Sequence, residues 1–430
     1  MKTDQIQKVH KDWYKLDLSA IVYPTLQRRD FSSVYRLSVL LKEDIDPEIL
    51  QRAVNLTMPR FPTYKAAIRK GVFWRYLEPN DRPGPFVQED VKNPCQPMHF
   101  KGNNRYLVRI YYYRNRIALE AHHSLGDGTG GMCVLQTLTA TYLRLKGHSE
   151  IENGGFVLDI LGIPDPGELE DAYMKYANAK VCPPRPGEKT YRVRGTKEPF
   201  YTLNIIDGIM SVSEVMQVAK SYNATITEYL NSVLLYALMQ KQESEWHWKL
   251  RPVKIAMPVN LRRFFPSRTL RNFITMIYPG IDPRLGEYTF EEIVTQVHNY
   301  MRYYLNEKLL RGDITTNAET QRNPFIRIVP LFIKDLVVRQ FYAKIQDKNS
   351  SAGLTNMGAL KVPETMKPYI ERFDIYMGQP FSTRTNCAIA SFEDILTINF
   401  ASSIAETDVE RLFFRKLVQD GIHVKIESNR

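Results

Sequence analysis

Residues 122–128 read HHSLGDG: two adjacent histidines, His122 and His123, then Asp127 four positions after the second, with glycines on either side of the acid. An imidazole with an unperturbed pKa of about 6.5 is partly neutral at physiological pH and can take a proton from an alcohol or an amine. A carboxylate a few residues on can cap a helix or hold a cation. Glycine lets backbone approach another group without a Cβ in the way.

Three chemistries compete for this stretch. GDGTGG matches the dinucleotide pattern G-x-G-x-x-G at Gly126, Gly128 and Gly131, and Glu150 and Glu152 follow about 20 residues on. Asp127 sits inside that turn, where its charge opposes a pyrophosphate, and IENGGFVLDILGIP offers no clean second parallel strand. A metal site fares worse. Neighbouring residues on a strand point to opposite faces, so His122 and His123 do not chelate one ion, and no HExxH or third ligand stands at a standard spacing. The general-base reading accounts for more of the residues. One histidine projects into a cleft, its neighbour is structural, and Asp127 caps the next helix or pairs with a buried arginine and locks the loop.

These residues need a strand before them and a helix after them. YLVRIYYY and IALEAHH, separated by Arg114, Asn115 and Arg116, predict a hairpin that delivers the histidines at its end. GGMCVLQTLTATYLRLKG places Met132, Leu135, Leu138 and Tyr142 at helical spacing, with Gly147 as a stop. Upstream, SVYRLSVLL predicts a strand, and DPEILQRAVNLTMPRF a helix with Ile49, Leu50, Ala53, Val54 and Met58 on one stripe. Prolines 164, 166, 183, 184 and 186 mark a boundary. Beyond it, SVSE (Ser211, Glu214), TITE (Thr225, Glu228) and TDVE (Thr407, Glu410) are capping-box sequences. NCAIASF and ILTINFA predict another hairpin, and the helix after it ends near Gly421. Hairpin then helix thus occurs twice, at 105–146 and 386–420, a weak internal repeat in which only the first copy carries the histidines.

H-H-x-x-x-D-G after a strand and before a helix resembles the signature of the superfamily of chloramphenicol acetyltransferase, peptide-synthetase condensation domains and alcohol acetyltransferases. It is matched at His122, His123, Asp127 and Gly128. WYKLDLSAIVYP, RLSVLL and RFPTYKAAIRKGVFWRYLEPN resemble the N-terminal lobe of bacterial alcohol-acetyltransferase-like proteins. AMPVNLRRFF with the downstream LRNF is similar to the P-V-x-x-R segment, and LTNMGAL resembles the S-N-x-G stretch. The D-F-G-W-G motif of the plant H-x-x-x-D acyltransferases, a further branch of that superfamily, is missing, and no fused carrier module is expected.

The resemblance implies an α/β fold of two similar sandwich lobes forming a V around a central tunnel. Residues 1–163 would be the lobe carrying HHSLGDG, 164–195 a linker, and 196–430 the second lobe. It implies acyl transfer from a thioester to an alcohol or amine with His123 as general base and no acyl-enzyme. His122 and Asp127 would be structural, with Arg262 as the partner of Asp127 and Asn272 as a hydrogen-bonding group in the cleft. Gly128, Thr355 and Asn356 would be the oxyanion or substrate contacts, although TNMG reads equally well as a plain turn. Acyl-CoA is the expected co-substrate, with no permanently bound cofactor and no metal. An acyl carrier protein is the alternative donor, and the basic residues around Arg268 and Arg271 would meet either the phosphates of coenzyme A or the acidic surface of such a carrier. A non-catalytic condensation-like binding protein is the alternative class.

The rest of the chain sets bounds. With 43% apolar and 24% charged residues in 430, it has ample material for a core. Four scattered cysteines form no CxxC, which fits a reducing compartment. The N-terminus has no apolar signal core, so the expected location is cytoplasmic. The net charge of +11 comes with no nucleic-acid motif, and none is expected as a partner. The greasy run FIRIVPLFIKDLVV is broken by Arg327, Lys334 and Asp335, so no transmembrane segment is expected. Its extension to FIRIVPLFIKDLVVRQFYAKI is basic and amphipathic, and core packing is its expected use over membrane-surface binding.

Overall fold

Strand Arg116–His122 pairs antiparallel with Val108–Tyr113 on one side and with Val34–Leu41 on the other. The turn between the first two is made by Arg114, at φ +49°, and Asn115. The computed structural model describes residues 13–27, 31–91, 93–178, 188–199, 202–245, 249–378 and 383–429. The prolines at 183, 184 and 186 and the cysteine at 182 lie outside them.

The sheet bearing the histidines has five strands, in the order Ile370–Met377, Val34–Leu41, Arg116–His122, Val108–Tyr113, Val87–Glu89. Every residue of Val34–Leu41 is buried, so both faces of the sheet are covered there. Helices Pro47–Thr57 and Gly128–Leu145 pack together beside it, and residues 130–143 of the second are buried throughout. In the first, Leu50, Ala53 and Val54 turn inward, and Asp46 caps it by accepting from the N–H groups of Glu48 and Ile49. A three-stranded sheet of Tyr14–Lys15, Arg75–Pro79 and Ala66–Lys70 adjoins.

The second large sheet has eight strands. Ala352–Ala359 runs parallel to Thr385–Phe392, which forms the expected hairpin with Ile395–Ser402; Asn204–Ser211 follows. Helix Ile226–Ser244 supplies Tyr229, Leu230, Val233, Leu234, Ala237 and Leu238 to its core. TITE makes a full reciprocal capping box. In SVSE, Ser211 caps but Glu214 turns to His423, and Thr407 of TDVE makes no side-chain cap. A further full box, Thr289 with Glu292, opens helix Phe290–Tyr304. Strand–strand–helix recurs at 108–145 and 385–419. The architecture is mixed α/β.

Two features depart from expectation. Strand Ile370–Met377 pairs with Val34–Leu41 along its length, so residues after 196 also build the sheet of the histidines. The run at 324–341 does not pack into a core. Pro330 divides it into helices Pro324–Ile328 and Leu331–Asn349, and most of its apolar side chains face solvent. Among the described residues no helix is long and apolar enough to cross a membrane.

Candidate active site

His122 ends its strand, and the ladder passes beyond it. Its N–H donates to the Leu107 carbonyl, and the N–H of His123 donates to the Ser33 carbonyl on the opposite side. Strand alternation therefore separates the two rings. His122 is fully buried. Its Nδ1 accepts from the Ser124 N–H at 3.2 Å, which puts the proton on Nε2, and Phe100 meets the ring edge-on. Burial, with the neighbouring His123, pushes its pKa down to about 3.

His123 is half-buried and lies between two tyrosines. Tyr23 stacks on it at 4.7 Å and Tyr35 tilts against it at 4.6 Å between ring centres. Nδ1 is sealed from solvent without a hydrogen-bond partner. Burial lowers the pKa of the ring to about 4, opposed by the Asp127 charge and the Asn272 side chain, so the imidazole is neutral at physiological pH.

The loop is fixed by Asp127. As N-cap of helix Gly128–Leu145 it accepts from the N–H groups of Thr129 and Gly130 at 3.1 and 3.2 Å. Its second oxygen accepts from the Phe273 N–H at 2.9 Å and from Arg262 Nη1 at 2.8 Å, and Arg262 Nη2 reaches the first oxygen at 3.3 Å. Arg262 also donates to the carbonyls of Thr269 and Arg271 and to Asn260 Oδ1. The carboxylate thus already occupies the helix terminus that a phosphate would use.

The glycines serve packing. A Cβ on Gly126 would stand 2.4 Å from the Leu270 carbonyl oxygen, and one on Gly130 would stand 1.9 Å from it. The loop backbone lies directly against the strap at 269–273, and Tyr64 closes the other side. Gly130→Ala should therefore cost about 1–3 kcal/mol by overpacking, read as a lowered midpoint in denaturant unfolding. An unchanged midpoint would contradict this packing. The Gly128 N–H is the first-turn donor without a protein acceptor among the described residues.

Asn272 joins the strap to the histidine. Its Nδ2 donates to the His123 carbonyl at 2.9 Å and to Asp17 at 3.1 Å, while its Oδ1 is buried without a donor. Asp17 is fully buried. It also accepts from the Ala20 N–H at 2.8 Å and faces Arg271 at 3.6 Å; burial raises its pKa against that cation. Sequence reasoning passed over Asp17, Tyr23 and Tyr35. The first two stand in WYKLDLSAIVYP, but their partners lie far along the chain.

Thr355 and Asn356 lie in strand Ala352–Ala359, whose register slips between Asn356 and Ala359, with Gly358 at φ +74°. Asn356 Nδ2 donates to Thr227 Oγ1 at 2.8 Å, and its Oδ1 accepts from the Gly358 N–H. Its amide is therefore engaged within the second sheet's layer. Met357, next along, brings this strand to the site: a Cβ on Gly128 would meet its sulfur at 3.1 Å. Of the two basic residues expected to face an anion, Arg271 is buried and donates to the carbonyls of Lys15 and Leu169, whereas Arg268 is exposed beside Asp165. Residues 164–176 are themselves built in: Glu168 holds Arg60 through two bonds of 2.7 and 2.8 Å and accepts the Leu270 N–H at its carbonyl.

No protein-family model matches the sequence, and no curated protein does. Solved structures do. The first condensation domain of the calcium-dependent antibiotic synthetase superposes with a TM-score of 0.60 at 14% identity, over 96% of this chain and 99% of that one. Trichothecene 15-O-acetyltransferase from Fusarium sporotrichioides gives 0.55 at 14%, over 95% and 94%. F. graminearum TRI101, complexed with coenzyme A and T-2 mycotoxin, gives 0.62 at 10%, over 96% and 99%. Over nearly its whole length, this chain has the chloramphenicol-acetyltransferase-like fold of the condensation domains and the trichothecene acetyltransferases.

Proposed function

We propose that the chain is an acyltransferase that moves an acyl group from acyl-CoA to an alcohol or amine, with His123 as general base. One observation carries the reading: a neutral, half-buried imidazole at a strand end, on a loop locked by Asp127 and Arg262, in a fold that it shares with a protein crystallised with coenzyme A. The acceptor hydroxyl or amine gives its proton to His123 Nε2 as it attacks the thioester carbonyl. The tetrahedral intermediate collapses with loss of the thiolate, which takes the proton back. His123 Nδ1 and Asn272 Oδ1 are both buried without a partner, so Nε2 is the nitrogen assigned the role of base. The Gly128 N–H is the donor nearest to hand for the oxyanion; losing such a donor typically costs roughly 2.7–4 kcal/mol. The ester or amide product and free coenzyme A would leave by the tunnel between the two lobes that the resemblance implies. Residues 1–163 and 196–430 would be its two walls, the second lending Ile370–Met377 to the first. The protein would work in the cytoplasm.

The test is thiol release from a panel of acyl-CoAs in the presence of alcohols and amines. Acceptor-dependent release supports the reading. Release only from acyl groups on a carrier protein would make it a condensation enzyme, and none from either donor a binding protein.

The low pKa of His123 has a kinetic consequence. The base form predominates above the pKa, so kcat/KM, which follows the free enzyme, should be level from neutrality downward and fall along an acid limb with a midpoint of about 4. A limb centred on the ordinary imidazole value, about 6.5, would mean that the working ring is not buried.

A further inference from the structure

Helix Leu331–Asn349 is tied to the protein through polar side chains, while several of its apolar side chains face solvent. The helix turns Asp335 inward, where it takes Arg75 through bonds of 2.9 and 2.5 Å and the Thr25 hydroxyl at 2.9 Å, and the exposed Arg339 reaches back through Nε to the Thr25 carbonyl at 2.9 Å. Its apolar rows, at spacings of four, turn out. Phe332 is 74% exposed, Leu336 61% and Val337 59%. The preceding helix continues the face with Phe325, 77% exposed. The hairpin tip Val72–Phe73–Trp74 abuts it, bonded through the Leu331 N–H to the Val72 carbonyl, and all three of its side chains are exposed too. An exposed apolar surface assembled from three segments marks a contact site.

Charge identifies the occupant. From residue 320 to 341 the sole acid is Asp335, and it is the one turned inward onto Arg75. The exposed Arg327 and the neighbouring Lys334 donate to backbone carbonyls, and among the described residues neither has a carboxylate within ion-pair distance. Aromatic and aliphatic side chains rimmed by uncompensated cations, on a chain of net charge +11, suit a bilayer whose surface is anionic.

We propose that this face, formed by Phe325–Phe341 and the tip at 72–74, docks the protein on anionic membranes. The ring of Tyr23, two residues before the Thr25 that anchors the docking helix, covers His123, so docking would bring that side of the site to the bilayer. No catalytic group takes part, and the test needs no turnover, so its outcome is separate from that of the acyl-transfer reading.

The experiment is flotation of the full chain with phosphatidylcholine vesicles, with and without phosphatidylserine. Co-flotation is expected with the anionic vesicles and much less with the neutral ones, weakening as salt is raised. Phe332→Ser with Val337→Ser should lower the bound fraction about tenfold or more, since each loses a buried apolar side chain. Arg327→Glu should lower it less. All of these positions are exposed, so melting of the variants should match the parent. Three results would overturn the proposal: no flotation with anionic vesicles, equal binding to neutral ones, or binding that both variants leave intact. So would sedimentation showing a dimer that the Phe332 and Val337 changes dissolve while vesicles remain unbound, which would assign the face to a second copy.

Discussion

Replacing His123 with glutamine should lower kcat for thiol release by about 10²–10⁴-fold, the usual worth of a positioned general base. The side chain keeps its approximate size between Tyr23 and Tyr35, so the melting temperature should move little and KM for acyl-CoA should stay near the parent value. Alanine would lose the same proton acceptor but also unstack both tyrosines, and comparing the two variants separates chemistry from packing. The main-chain bonds of residue 123, to Ser33 and Asn272, do not depend on its side chain and would hold the loop in either variant. His122→Gln provides the control. Its ring is wholly enclosed, so that change should act on stability before turnover. Parental turnover in His123→Gln would remove the imidazole from the mechanism.

The second large effect is on stability. Asp127→Ala leaves the Arg262 guanidinium without its counter-charge in a buried setting and strands the N–H groups of Thr129, Gly130 and Phe273. Breaking one side of such a pair typically costs about 3–5 kcal/mol. Denaturant unfolding should register a loss in that range. Arg262→Met should be milder, because Asp127 keeps three backbone donors. The double variant should be more stable than the sum of the two losses allows, since neither charge is then left alone. Additive losses would mean that the pair is not coupled. An unchanged midpoint in Asp127→Ala would remove the acid from the structural role altogether.

Local patterns made much of this legible. The hairpin, the loop and the helix at 105–146 follow from period-two and helical spacing, and the TITE box from four consecutive residues. What escaped reading depends on contacts across the chain. Asp17 meets Asn272 and Arg271 more than 250 positions away, and nothing in its own surroundings distinguishes it from a solvated acid. Asn356 reads as turn or site because Asn and Gly suit both, and a register slip within a strand accommodates the same pair. The run at 324–341 has core composition. Its exposure follows from Pro330, which splits the helix, and from Asp335, whose bonds to Arg75 and Thr25 take the inward face.

The edge contributed by Ile370–Met377 has a practical corollary for dissecting the chain. A fragment ending near residue 163 would bare one edge of Val34–Leu41, a strand apolar at every position but Arg36 and Ser38 and a ready template for intermolecular strand addition. Such a truncation should self-associate rather than remain monodisperse. Supplying the 370–377 segment, by co-expression or by circular permutation, should restore it.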